Sequence, residues 1–141
     1  MGNPHAEEKL RRRTKDFAVA VVLSTRSLPR TRECDIIAKQ VLRSALSIAA
    51  SYRAACRCQS RAEFISKINV TLEEADETLF WLEALEDLDI GFAEILQTEC
   101  KELVCIFAAS LRTARRRAVS IGTERDISDP NTNQKSQIAN R

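Results

Sequence analysis

Glu73, Glu74 and Glu77 are carboxylates at helical spacing, the kind of grouping from which di-iron centres are built. Such centres in helical bundles combine inward-pointing glutamates with a Glu-x-x-His pair on each of two further helices. The only histidine is His5, close to the start of the chain. Stepping 100° per residue also turns Glu73 and Glu77 away from the apolar face of their helix. Cys34, Cys56, Cys58, Cys100 and Cys105 are odd in number and fall within helical patterns, where a free thiol behaves as a small apolar side chain. Cys56 and Cys58 lack the two-residue gap of a zinc knuckle. Neither a glycine-rich phosphate loop nor a nucleophile elbow nor a histidine-based dyad is present. The pattern predicts a non-enzymatic protein with no cofactor and no metal.

Charge is more informative. Residues 1–67 carry 14 Lys/Arg against 6 Asp/Glu, residues 68–111 carry 1 against 11, and residues 112–141 carry 7 against 3, so a net charge of +2 conceals a basic, acidic, basic order. Opposite charges then sit on different elements and can meet across a helix–helix or subunit boundary. Two arginine clusters stand out, Arg11, Arg12 and Arg13 near the start and Arg112, Arg115, Arg116 and Arg117 late in the chain.

The elements that carry these groups read as helices. With 141 residues, 44% of them hydrophobic, and only 3 Gly and 3 Pro, the chain suits one all-α domain with few turns. Residues 1–13 are polar and predict a flexible basic arm. A first helix is expected from about Thr14 to Leu28, with Phe17, Val21 and Leu28 on one face and Val19, Val22 and Leu23 off it, so that it is covered on two sides; Pro29 ends it. Thr31 is a candidate N-cap for a second helix whose stripe Cys34, Ala38, Val41, Ala45, Ile48, Tyr52, Ala55 steps alternately by 4 and 3, a seam of small residues suited to close antiparallel packing. Its opposite face carries Lys39, Arg43, Arg53, Arg57 and Arg61. Ser60 and Glu63 form a capping-box signature that starts a third helix, with Phe64, Ile68, Leu72, Ala75, Leu79 and Leu82 inward. Gly91 is read as its stop. A fourth helix spans about Phe92 to Ala118, with Leu96, Leu103, Phe107, Ser110 and Ala114 inward, and residues 122–141 read as a disordered polar tail. Together these predict an up-and-down antiparallel four-helix bundle over residues 14–121.

The outer face of the third helix places Phe80, Trp81 and Leu88 among carboxylates, too large an apolar patch for a lone bundle to leave in water. This predicts a subunit interface in which Arg53, Arg57 and Arg61 meet Glu73, Glu74 and Glu77 of a neighbour; the alternative is that Trp81 rests on a helix of its own subunit. The longest unbroken apolar run, Phe17–Leu23, is far short of the roughly 20 residues that cross a bilayer, and no cleavable leader is recognised, so a cytoplasmic protein with no membrane partner is expected.

Several ordered motifs carry a family resemblance: Asp16-Phe17-Ala18 with Val21-Val22, Leu28 to Glu33, Lys39 to Ser44, Tyr52 to Arg57, Ser60 to Phe64, and Glu73 to Thr78 with Trp81-Leu82-Glu83. Over about residues 14–118 the chain resembles the four-helix-bundle proteins encoded in intervening sequences of bacterial 23S ribosomal RNA genes. That resemblance implies assembly into a homopentameric barrel and kinship with the accessory variability proteins of diversity-generating retroelements, which bind a reverse transcriptase and nucleic acid.

Two functions follow as expectations. In one, the protein binds RNA or DNA, with Arg11, Arg12, Arg13, Arg112, Arg115, Arg116 and Arg117 contacting phosphates; no aromatics interleave with them, so backbone recognition without base readout is expected. The arginines of the fourth helix, if they lie in its last turn, are equally ordinary partners of the helix dipole. In the other, the protein is a scaffold for itself or a polymerase, and the helix-2 arginines are taken up in subunit contacts.

Overall fold

The computed structural model describes residues 2–91 and 93–128. Four helices follow one another, α1 (Pro4–Thr25), α2 (Arg32–Cys56), α3 (Arg61–Asp87) and α4 (Ala93–Ser128), and no strand occurs among the described residues. Each packs on its sequence neighbour, and α1 returns to α4 in the most sparsely packed seam, which closes an up-and-down antiparallel four-helix bundle. No helix is long and apolar enough to cross a membrane among the described residues.

The first helix starts ten residues earlier than its polar composition suggests. Asn3 caps it, its side chain accepting from the His5 amide at 3.0 Å, and Pro4 occupies a first-turn position where a missing N–H costs nothing. The Gly2 amide donates to Glu7 Oε1 at 3.0 Å. Arg11, Arg12 and Arg13 therefore lie on an ordered helix, not on a flexible arm. Val19 and Leu23 are exposed, so within the chain α1 is covered on one side only, by way of Thr14, Phe17, Ala18 and Val21.

The other boundaries follow local chemistry. Thr31 accepts from the Cys34 amide, and Ser60 accepts from the Glu63 amide, as their side chains predict. Gly91 is not what stops α3. Asp89 takes the left-handed conformation at φ 56°, its amide donates to the Glu86 carbonyl at 2.9 Å, and the Ile90 amide donates to the Leu85 carbonyl at 3.0 Å. This is a Schellman motif, and Ile90 packs on Leu85 as its apolar seal. Nor does α4 end at Ala118: it continues to Ser128, so residues 122–128 belong to the helix, while residues 129–141 lie outside the described residues.

The core follows the expected stripes with additions. On α2, Cys34, Val41, Ala45, Ile48, Tyr52 and Ala55 are buried, joined by Ile37 and Ser44; on α4, Leu96, Leu103, Phe107 and Ala114 are joined by Cys100 and Leu111. Each wholly buried large side chain such as Ile48, Leu103 or Phe107 contributes about 1.5–3 kcal/mol. The Tyr52 and Phe107 rings meet at 5.6 Å. Small residues let α2 and α3 approach closely, and Thr78 Oγ1 lies 2.8 Å from Ser44 Oγ and 2.7 Å from the Glu74 carbonyl oxygen. Thr14 and Thr71 likewise return their hydroxyls to the preceding turn, at 2.9 and 2.8 Å, so these polar groups are buried without an unmet donor.

Candidate nucleic-acid interface

The two arginine clusters meet different fates. Arg13 faces α4, where its guanidinium donates to Glu99 through Nε at 2.6 Å and Nη2 at 2.9 Å and also pairs with Glu102. Those bonds to Glu99, above all, push the Arg13 pKa up. Arg11 pairs with Glu8, and Arg12 Nε lies 3.5 Å from Asp16. The last two retain exposure and line a groove between α1 and α2 with Lys15 and Arg53, over a floor of Leu46, Ala49 and Ala50. Lys15 and Arg53 make no ion pair or hydrogen bond with a described residue. Lys15 was missed in the sequence because only the α1–α2 packing sets it beside Arg53.

Arg112, Arg115, Arg116 and Arg117 are all exposed and make no ion pair or hydrogen bond with a described residue. Because α4 runs on to Ser128, they are not in its last turn, and the helix dipole, whose influence is confined to the terminal turn, does not account for them. The clusters do not merge. Arg117 lines a cleft with Gly2 and Asn3, whereas Arg13 is bonded to Glu99 and Glu102, about 22–27 Å before Arg117 along α4 at 1.5 Å per residue. The cationic surface is thus divided between the α1–α2 groove and the distal part of α4.

The acidic face of α3 is engaged inside the chain. Arg43 of α2 donates to Glu74 at 3.2 Å and pairs with Glu77, and that pairing lowers the Glu77 pKa. Arg43 itself is pushed up, first by Glu77 and then by Glu74. Ser44 lies opposite Thr78, a register that brings Arg43 to these glutamates and carries Arg53, Arg57 and Arg61 toward the α2–α3 turn. Arg57 caps α2 and Arg61 opens α3. Glu73 accepts from Asn69 at 2.8 Å. Within the chain, Arg43, which sequence reasoning set on the basic stripe without a partner, takes Glu74 and Glu77; the contacts expected of Arg53, Arg57 and Arg61 are with the glutamates of a neighbouring subunit.

Phe80 is 57% exposed and sits against Trp81 in an edge-on contact with ring centroids 4.9 Å apart. Trp81 is half-buried, packs on the main core and on the smaller cluster of Ile37, Leu85 and Ala93, and directs Nε1 at Glu77 at 3.4 Å. Its ring is therefore held by its own subunit, and Phe80 is the outward member of the pair. No group of side chains suited to a metal ion occurs among the described residues.

Fold and surface define a helical-bundle protein with a divided cationic face. Residues 7–109 match the 23S rRNA-intervening sequence protein family, and the chain belongs to that family. It is also similar to a solved structure of a protein of unknown function from the S23 ribosomal protein family of Bacteroides thetaiotaomicron, with a TM-score of 0.69 and 31% identity, covering 75% of this chain and 97% of that one. No curated protein matches the chain.

Proposed function

We propose that this protein is a non-enzymatic, oligomeric nucleic-acid-binding accessory protein. The observation that carries the reading is the run Arg112, Arg115, Arg116 and Arg117, exposed and unpaired among the described residues at a place in α4 where the dipole gives them no structural task. Lysine and arginine clusters neutralise phosphates and release counterions, so the expected recognition is of backbone rather than bases. Lys15 and Arg53, with Arg11 and Arg12, extend the surface into the α1–α2 groove. Assembly into a homopentamer, as the family resemblance implies, would multiply a modest patch through effective concentration. The five free thiols suit a reducing cytoplasm.

A second reading is a protein-binding scaffold, for example an accessory subunit of a reverse transcriptase. Phe80, exposed beside an acidic face, favours it, because an aromatic so placed suits a partner with a basic rim.

The deciding experiment is a titration of nuclease-treated protein with a structured RNA and a duplex DNA at about 50 and 200 mM salt. The expected result is binding that falls steeply with salt and is weakened, with a shallower salt slope, when Arg112, Arg115, Arg116 and Arg117 are all replaced by Gln. Binding that is absent at low salt, or untouched in the variant, overturns the nucleic-acid reading and directs attention to Phe80.

A further inference from the structure

All four helices contribute to a cleft at the α2–α3 end of the bundle, separate from the α1–α2 groove and bordering the distal cationic part of α4 at Arg117. Leu10 of α1, Phe64 of α3 and Ile106 of α4 line it, and Tyr52 of α2 closes its base. Its volume of about 460 Å³ falls within the 300–1,000 Å³ or so of small-molecule sites. Two cations border it. Arg61 enters from the first turn of α3 and Arg117 from α4, and neither makes an ion pair or hydrogen bond with a described residue. A guanidinium beside an apolar wall, with no carboxylate of its own, is a ready donor for an anionic head.

The walls restrict the chemistry further. Tyr52 is buried, and burial raises its phenol pKa well above the usual value, so it stays neutral and adds ring surface and one hydroxyl. Glu7 lines the same cleft, and its carboxylate opposes a multiply charged head more than a singly charged one. Leu10, Phe64 and Ile106 offer hydrocarbon to a ligand body, with Ser110 and Thr113 as the uncharged polar groups on the α4 wall.

We propose that this cleft binds an amphipathic monoanion, a carboxylate on an aliphatic or aromatic body, with Arg61 and Arg117 on the head and Leu10, Phe64 and Ile106 on the body. The site shares Arg117 with the nucleic-acid reading and uses none of Arg112, Arg115 and Arg116, so decanoate binding and nucleic-acid binding are read out separately.

The test is a fluorescence titration of the full chain with 1-anilinonaphthalene-8-sulfonate, an aromatic monoanion, followed by displacement with decanoate, decanol and inorganic phosphate. The expected result is saturable binding of one probe per chain, displaced by decanoate and not by phosphate. The double variant Arg61→Gln, Arg117→Gln should weaken decanoate by about tenfold or more, the loss expected on removing charged hydrogen bonds, while decanol is unchanged. Ala109→Trp, which puts an indole into the cleft from its α4 wall, should abolish probe binding while circular dichroism shows the helices intact. Non-saturable binding, equal displacement by phosphate, or a decanoate affinity that both variants leave unchanged overturns the proposal.

Discussion

Arg13 of α1 and Glu99 of α4 form a two-pronged ion pair, Nε to Oε1 at 2.6 Å and Nη2 to Oε2 at 2.9 Å, across the most sparsely packed seam of the bundle. Paired guanidinium–carboxylate bonds fix orientation as well as distance, so this contact sets how α1 lies on α4. Both side chains keep about a third of their exposure, and solvent screening holds such a pair to about 0.2–1 kcal/mol. Arg13→Gln should therefore lower stability to urea by about that amount. It should leave the salt slope of nucleic-acid binding unchanged, because Arg13 is already committed to Glu99. A reduced slope would show that the pair opens to meet phosphate.

The Arg43–Glu77 contact predicts a pH dependence. Arg43 holds the Glu77 carboxyl below its ordinary value of 4.5 in the folded chain. A folded pKa below the unfolded one stabilises above the unfolded value, and that stabilisation disappears as pH falls through the folded value. The melting temperature of the parent should exceed that of Arg43→Gln at about pH 7, and the gap should narrow progressively as pH falls below 4.5. A gap that stays the same size as the pH is lowered would attribute the effect to packing of the arginine stem.

Phe80 and Trp81 separate by the same logic of burial. Phe80→Ser removes an exposed ring and should change stability by no more than about 0.5 kcal/mol, the usual range for surface positions. Trp81→Ser removes a ring seated on both core clusters, with a loss below the roughly 3–5 kcal/mol of a fully buried aromatic because Trp81 is half-buried. Sedimentation of Phe80→Ser, whose fold is intact, then reports on assembly. A mass equal to the parent's removes Phe80 from any subunit contact.

The cysteines should label in an order set by burial. Burial pushes the Cys100 thiol up to about 12, and the thiolate is the reactive form. Cys34 is buried as well, whereas Cys105 is exposed. Iodoacetamide at about pH 8, followed by peptide mass mapping, should modify Cys105 in the native protein and reach Cys34 and Cys100 only with unfolding. Equal labelling of Cys100 and Cys105 in the native state would mean that α4 opens readily from the core.

Much of the architecture was legible because helices write their periodicity into the chain. The stripe from Cys34 to Ala55, the cap at Thr31 and the cap at Ser60 are local patterns; the caps are found as read, and so is the stripe except that Ala38 is only half-buried. Ile37 and Ser44 were missed because a helix with two helical neighbours buries a wider face than one seam. The start of α1 was missed because Asn3-Pro4 is a capping signal set in polar surroundings that resemble a loose arm. The end of α3 was missed because Gly91 drew attention from Asp89, whose left-handed backbone is decided by the hydrogen bonds around it.

What the sequence by itself determined is the number of helices, most of their inward faces and the segregation of charge, since these depend on residues within a few turns of one another. Which charges are free was decided only by tertiary structure. The register of α2 on α3 brings Arg43 to Glu74 and Glu77, the lie of α1 on α4 brings Arg13 to Glu99, and the length of α4 leaves Arg112, Arg115, Arg116 and Arg117 away from its terminus. The physical reason is range. An ion pair needs its two partners within a few ångströms, and residues more than thirty positions apart reach that distance only once the helices that carry them have packed.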